Sequence, residues 1–331
     1  MNKFLKDLEK ELKNLKVSEK DIKEILEDHK EMIEAAMNEG LDENKIEEKF
    51  GKPGTLAKDL QDDTLKLDEK TNYNFSDVGS CVKVDTSSFK LVKTFNMIFE
   101  DISVNIGLIS EDINLTSYDG TSIQIYEKNV KKIEDYTISF ENNELLIKKK
   151  TKIKIGISIN FSKNSGEFLV LVPKEMDISK FDYKTVSGDA NINGIKSKDI
   201  NIKSTSGDLE LTNVDGKNMK FTTVSGDIEI IGLKGEQLEV SLVSGDIEMK
   251  QAAIKGNMEL HSVSGDVELF EVECKEADFK TVSGDLEGKE FYPSQISLKS
   301  VSGDIDISNR DVLKNINVIS KKTVSGDISI N

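Results

Sequence analysis

Two hydrophobic rhythms divide the chain. Over residues 4–60 apolar side chains recur every three or four positions, the spacing of one buried helix face. Beyond residue 95 they alternate with polar ones, the period of strands with one covered face. In the first part, Leu5, Leu8, Leu12 and Leu15 predict one helix. Ser18 and Asp21 start a second, which carries Ile22, Ile25, Leu26, Met32, Ile33, Ala36 and Met37 and stops at Gly40. Asp42 caps a third with Ile46 and Phe50, closed by Gly51 and Pro53, and Thr55 to Leu60 form a short fourth.

The alternating part contains a repeat. Ser-Gly-Asp recurs with its glycine at Gly188, Gly207, Gly226, Gly245, Gly265, Gly284, Gly303 and Gly326, at spacings of 19, 19, 19, 20, 19, 19 and 23 residues. Aligned on that glycine, the chain resolves into apolar columns. Two residues after it stand Ala190, Leu209, Ile228, Ile247, Val267, Leu286, Ile305 and Ile328; four after it come Ile192, Leu211, Ile230, Met249, Leu269, Gly288, Ile307 and Ile330. Five and seven before it lie two more columns, ending in Lys321 and Ile319. A unit of about 19 residues with two alternating runs predicts one coil of a parallel β-solenoid: strand, corner, strand, second turn. No coil can bury its apolar face alone, so the units must stack, and eight of them span about 38 Å. The eight glycines are read as structural corners that need positive φ, with each Asp capping its own corner.

Residues 95–173 keep the alternation without the motif and are read as degenerate coils or a cap, ahead of the eight coils at 174–331. Residues 63–94 are a linker and lead-in segment, and residues 1–62 a small all-α domain. The fold class expected is therefore mainly β, a solenoid behind a helical unit. Gly288 leaves a hole in an apolar column beside Phe291, Tyr292 and Pro293, and Lys321 puts a charge at an inward position of the last coil. That coil is expected to pair with another copy, a partner or the helices.

The formal net charge of −16, with no long basic run, argues against direct nucleic-acid binding and favours cationic partners. Asp189, Asp208, Asp227, Asp246, Asp266, Asp285, Asp304 and Asp327 form an outward acidic ladder beside a second column, Glu210, Glu229, Glu248, Glu268, Glu287 and Asp306. Carboxylates about 4.8 Å apart repel by roughly 1 kcal/mol per neighbour, so the ladder needs hydrogen bonds, counter-ions or a cationic ligand. Of the ladder aspartates, Asp208, Asp227, Asp246, Asp266, Asp285 and Asp304 are the candidate divalent-cation ligands; no other cofactor is expected. Cys81 and Cys274 lack metal-site spacing and read as small hydrophobes, and His29 as a core residue of the second helix. His261 sits in an outward column, so neither histidine has a nucleophile to serve, and no enzyme is expected. Gly51 to Gly54 terminates a helix and lacks the rest of a phosphate loop. The N-terminus has no signal-peptide core and the chain no transmembrane run, which points to a cytoplasmic or membrane-peripheral protein and leaves surface exposure open.

Two resemblances sharpen these expectations. Through MNKFLKDLEKEL, EILEDHKEMIEAAMNEG and KIEEKFGKPGTLAKDL, the N-terminal segment resembles the HAAS helical signalling domain. That likeness implies a docking role toward a protein partner such as a PadR-type transcription regulator. Through LVLVPKEM and runs such as TVSGDIEI, LVSGDIEM and SVSGDVEL, the remainder resembles the putative-adhesin family of bacterial domains of unknown function, which includes daptomycin-sensing surface proteins. It implies a non-enzymatic binding or scaffold protein of an envelope-stress or signalling pathway, with any membrane contact indirect. The alternative is a cell-surface adhesin or a protein that binds cations or cationic peptides.

Overall fold

The computed structural model describes residues 2–14, 22, 26, 84–96, 101–150, 166–311 and 314–331. The chain divides into two compact units, Met1–Asp77 and Val78–Asn331. In the first, α1 (Asn2–Asn14) buries Phe4 and Leu8 one turn apart and ties Lys13 to Glu9 at 2.7 Å. Lys3, Lys6, Lys10 and Lys13 stay exposed on the helix. Ile22 is a buried helical residue; the third and fourth expected helices, His29, Cys81 and the Gly51–Gly54 terminator lie outside the described residues.

The second unit is a β-solenoid with parallel pairing throughout its repeats. β8 (Ile178–Lys184), β10 (Lys196–Lys203), β12 (Asp215–Thr223) and β14 (Lys234–Leu242) pair in sequence on one side. β9 (Ala190–Asn193), β11 (Leu209–Thr212) and β13 (Ile228–Ile231) do so on the other. The long strands β15 (Ile247–His261), β16 (Val267–Lys280) and β17 (Leu286–Lys299) each run through the second turn and serve both sides; β18 (Ile305–Ser308), β19 (Asn317–Lys322) and β20 (Ile328–Ile330) complete the stack. Register is one repeat per coil: Ile228 pairs with both Leu209 and Ile247, and Ile247 with Val267. The columns thus form one dry interior in which these residues are buried.

The chain enters this stack out of order. β2 (Ile102–Gly107) and β3 (Asp112–Tyr118) form the coil directly before β8 and β9, although 59 residues separate Tyr118 from Ile178. The intervening segment turns back and supplies the coil before that, β6 (Glu144–Lys149) and β7 (Glu167–Pro173). Three antiparallel strands then close this end: β5 (Tyr136–Glu141) on β6, β4 (Ser122–Lys128) on β7, and β1 (Lys90–Asn96) on β4. The cap therefore starts at Lys90, and antiparallel pairing covers an edge that parallel coils would leave open.

The corner glycines correct one expectation. At Gly188, Gly207, Gly226, Gly265, Gly284, Gly303 and Gly326 φ is not positive; of the eight, Gly245 alone is, at +120°. Glycine is required by stacking instead. A Cβ on Gly207 would lie 2.1 Å from the Gly188 carbonyl oxygen, and one on Gly226 2.2 Å from that of Gly207. Left-handed backbone occurs at the other turn, six residues on, at Gly194, Asn213, Gly232, Gln251, Glu271 and Glu290.

A hydroxyl column explains why Gly245 differs. Thr185, Ser204, Thr223, Ser262, Thr281, Ser300 and Thr323 each accept a hydrogen bond from the amide of the glycine three residues on, at 2.8 to 3.1 Å. The equivalent residue of the fourth coil is Leu242, which has no acceptor, and there the glycine adopts the different φ. The last coil also departs from expectation: Val318, not Ile319, pairs with Ile296, and a bulge leaves Ile319 exposed. Lys321 does stand opposite Leu298, but its ammonium reaches out to the Ile328 carbonyl. At Gly288 the hole is filled from within, by Phe291 at 3.3 Å from where a Cβ would sit.

Candidate interaction surface

Each coil presents two outward faces and the edge between them. The face of β9, β11, β13 and β18 carries the acidic columns. Its Asp ladder is held from coil to coil: the amide of Asp208 donates to Asp189 Oδ1 at 3.0 Å, Asp227 to Asp208 at 2.9 Å, and the series continues through Asp246, Asp266, Asp285, Asp304 and Asp327 at 2.7 to 2.8 Å. Each Asp therefore secures the next coil and does not cap its own corner, as had been expected. The bonds offset the repulsion between neighbours while leaving the second oxygen at the surface. Burial, with the adjacent Asp112 and Asp208, raises the Asp189 carboxyl; burial, with Glu248 and Glu210, raises Glu229. Among the described residues, no group of three His, Cys, Asp or Glu is arranged to hold a metal ion.

The ladder starts one coil earlier than the motif does. Asp189 donates its amide to Asp112 at 3.1 Å, and Gly188 sits on the Glu111 carbonyl oxygen, where a Cβ would come within 2.0 Å. Ile109-Ser110-Glu111-Asp112 is thus a ninth corner with Glu in the place of Gly. The Glu111 side chain is buried, accepts from the Ile109 and Ser110 amides and pairs with Lys149, whose ammonium also lies 5.5 Å from the Tyr136 ring centroid. Burial alone would raise the Glu111 carboxyl, but hydrogen bonds from Lys149, Tyr136 and Ile109 outweigh it and lower the pKa to about 2. The clue in the sequence was Ser-x-Asp followed by alternating Ile113 and Leu115.

The opposite face, on β8, β10, β12, β14 and β15, is of mixed charge. A groove of about 360 Å³ crosses it, lined by Asn218, Lys220, Gln237, Glu239, Asn257 and Glu259 among others. One extra residue in β15, between Ile254 and Asn257, accounts for the single 20-residue spacing and places Asn257 at the groove. His261 stands near this face with Glu259 at 3.9 Å and the Lys280 ammonium at 3.4 Å. Cys274 is buried, as expected of a small hydrophobe, and burial pushes its thiol up to about 12. Among the described residues no helix is long and apolar enough to cross a membrane.

Comparison with known proteins agrees with this geometry. The family model for Toastrack DUF4097 matches residues 99–258 and 244–331, and that for HAAS residues 3–59. A solved structure named as a putative lipid binding protein from Parabacteroides distasonis is 20% identical, with a TM-score of 0.50, over 72% of this chain and 96% of its own. Another, a putative adhesin from Bacteroides fragilis, is 18% identical with a TM-score of 0.37, over 73% of this chain and 97% of its own. The first likeness is one of fold. No curated protein matches the chain.

Proposed function

Since this chain belongs to the Toastrack DUF4097 family, we propose that it is a non-enzymatic binding and scaffold protein of an envelope-stress or signalling pathway. The observation that carries this reading is the register of the coils, which repeats the same outward residues at fixed intervals on a rigid stack and so builds long, regular surfaces. The N-terminal unit, through its HAAS match and the exposed lysines of α1, is the dock for a PadR-type regulator.

The full-length chain should bind a purified PadR-type regulator in calorimetry, and Lys6→Glu with Lys10→Glu should weaken binding by about tenfold or more without touching buried Phe4 and Leu8. If the unaltered chain shows no heat of binding, the docking role is wrong. The outward Asp ladder, in which each residue uses one carboxylate oxygen to hold the next coil, supports a second reading, in which the acidic face takes cations or cationic peptides. Millimolar calcium should then raise the unfolding midpoint.

A further inference from the structure

One edge of the solenoid carries apolar side chains that the interior does not use. Two residues before each corner glycine stand Val186, Val224, Val243, Val263, Val282 and Val301, each 44–48% exposed, and Val324 at 81%; Thr205 is the single interruption. Ile109 continues the row at the ninth corner. Their backbone is fixed, because each of these carbonyls up to Val301 accepts the Ser amide of the next corner, as in Ser244 to Val224 at 2.8 Å and Ser264 to Val243 at 2.9 Å. The result is a ridge about 38 Å long, built on hydrogen-bonded backbone, whose side chains are partly open to water. A contiguous apolar strip of roughly a few hundred Å² marks an interaction surface on a soluble protein.

The flanks of the ridge differ in sign. On one side, two residues before the ridge positions, the column reads Lys184, Lys203, Thr222, Ser241, His261, Lys280, Lys299 and Lys322, with its lysines toward the two ends; on the other side, three residues after the ridge positions, runs the Asp ladder. A uniformly charged partner would be repelled along one flank. A second copy is not, provided it is turned the right way. Rotation by 180° about an axis parallel to the ridge sets the lysine flank of each copy against the aspartate flank of the other. Rotation about an axis across the ridge would set lysine against lysine and aspartate against aspartate.

We propose that the valine ridge is a self-association surface, on which two copies pack ridge to ridge about a two-fold axis parallel to the solenoid stack. Every coil then faces the same coil of its partner, and the paired strips together approach the roughly 1,000 Å² expected of a specific interface.

The symmetry makes the test sharp. In a Cys81→Ser background of the full chain, single cysteines at Val186, Val243 and Val301 should each cross-link to their own counterpart; Cys274 can remain, being buried and poorly ionised. Sedimentation of the unaltered chain at high micromolar concentration should show a dimer. Val224→Lys with Val263→Lys should weaken it by about tenfold or more. A cross-link at Val243 alone would mean the copies run in opposite directions and would overturn the proposal. So would a monomer in sedimentation, or a dimer that the two lysine substitutions leave intact.

Discussion

Gly226→Ala should destabilise the solenoid by about 3 kcal/mol or more, whereas Gly288→Ala should change its stability by less than about 1 kcal/mol. Both glycines are buried in the repeat, and both substitutions add one methyl group. The difference lies in what that methyl meets. At Gly226 it would stand 2.2 Å from the Gly207 carbonyl oxygen, a backbone atom held by the coil beneath, with the Thr223 hydroxyl also 3.2 Å away. Relief requires two coils to separate, which stretches the ladder bond from Asp227 to Asp208 and opens the interior. At Gly288 the nearest atoms are those of Phe291 and Ile307, at 3.3 to 3.4 Å, and side chains can move by a few tenths of an ångström. Alanine there also lowers the entropy of the unfolded chain. Urea unfolding followed by circular dichroism separates the two; equal losses would show that stacking at the corner is not what demands glycine.

Glu111→Gln should cost about 3 kcal/mol at neutral pH, since it removes a buried carboxylate whose pKa is lowered from 4.5 to about 2 by Lys149, Tyr136 and backbone amides. Because the folded-state pKa is the lower one, the stability Glu111 contributes is present in full above pH 4.5 and is lost as the pH falls toward 2. The gap between the unaltered chain and the variant should therefore close over that range. A gap that stayed constant down to pH 2 would assign the loss to packing and not to charge.

The repeats were legible because their physics is local and periodic. A 19-residue spacing with four apolar columns leaves parallel stacking as the arrangement that buries all of them. The strand order and direction of the cap were not legible, for the opposite reason. Tyr118 and Ile178 begin and end an excursion whose strands run in both directions, and nothing in the alternation of β4 or β5 distinguishes an antiparallel cap strand from a coil. The ninth corner escaped because Glu111 breaks the motif, yet glutamate fits there since its side chain is taken up by Lys149 and Tyr136 in the cap.

The positive φ expected at the corner glycines is replaced by a stacking constraint. Ser-Gly-Asp suggests a turn with positive φ, a property of one residue, but the constraint at Gly226 comes from a residue 19 positions away. The same holds for the site. That two carboxylate columns face outward could be read from alternation; that Asp227 donates its amide to Asp208 could not, since it depends on the offset between coils. Leu242 in place of a hydroxyl, the bulge before Asn257 and the row of half-exposed valines were all visible as residues. Their meaning appeared only when neighbouring coils were set side by side.

Pulsed electron resonance between spin labels on the outward acidic column tests the stacking itself. With one label at Glu210 and the second at Glu268, Glu287 or Asp306, the separation should grow in equal steps of about 4.8 Å, from about 14 to 19 to 24 Å. Distances that fail to rise coil by coil, or that fall at any step, would contradict a stack in which each repeat lies directly on the one before.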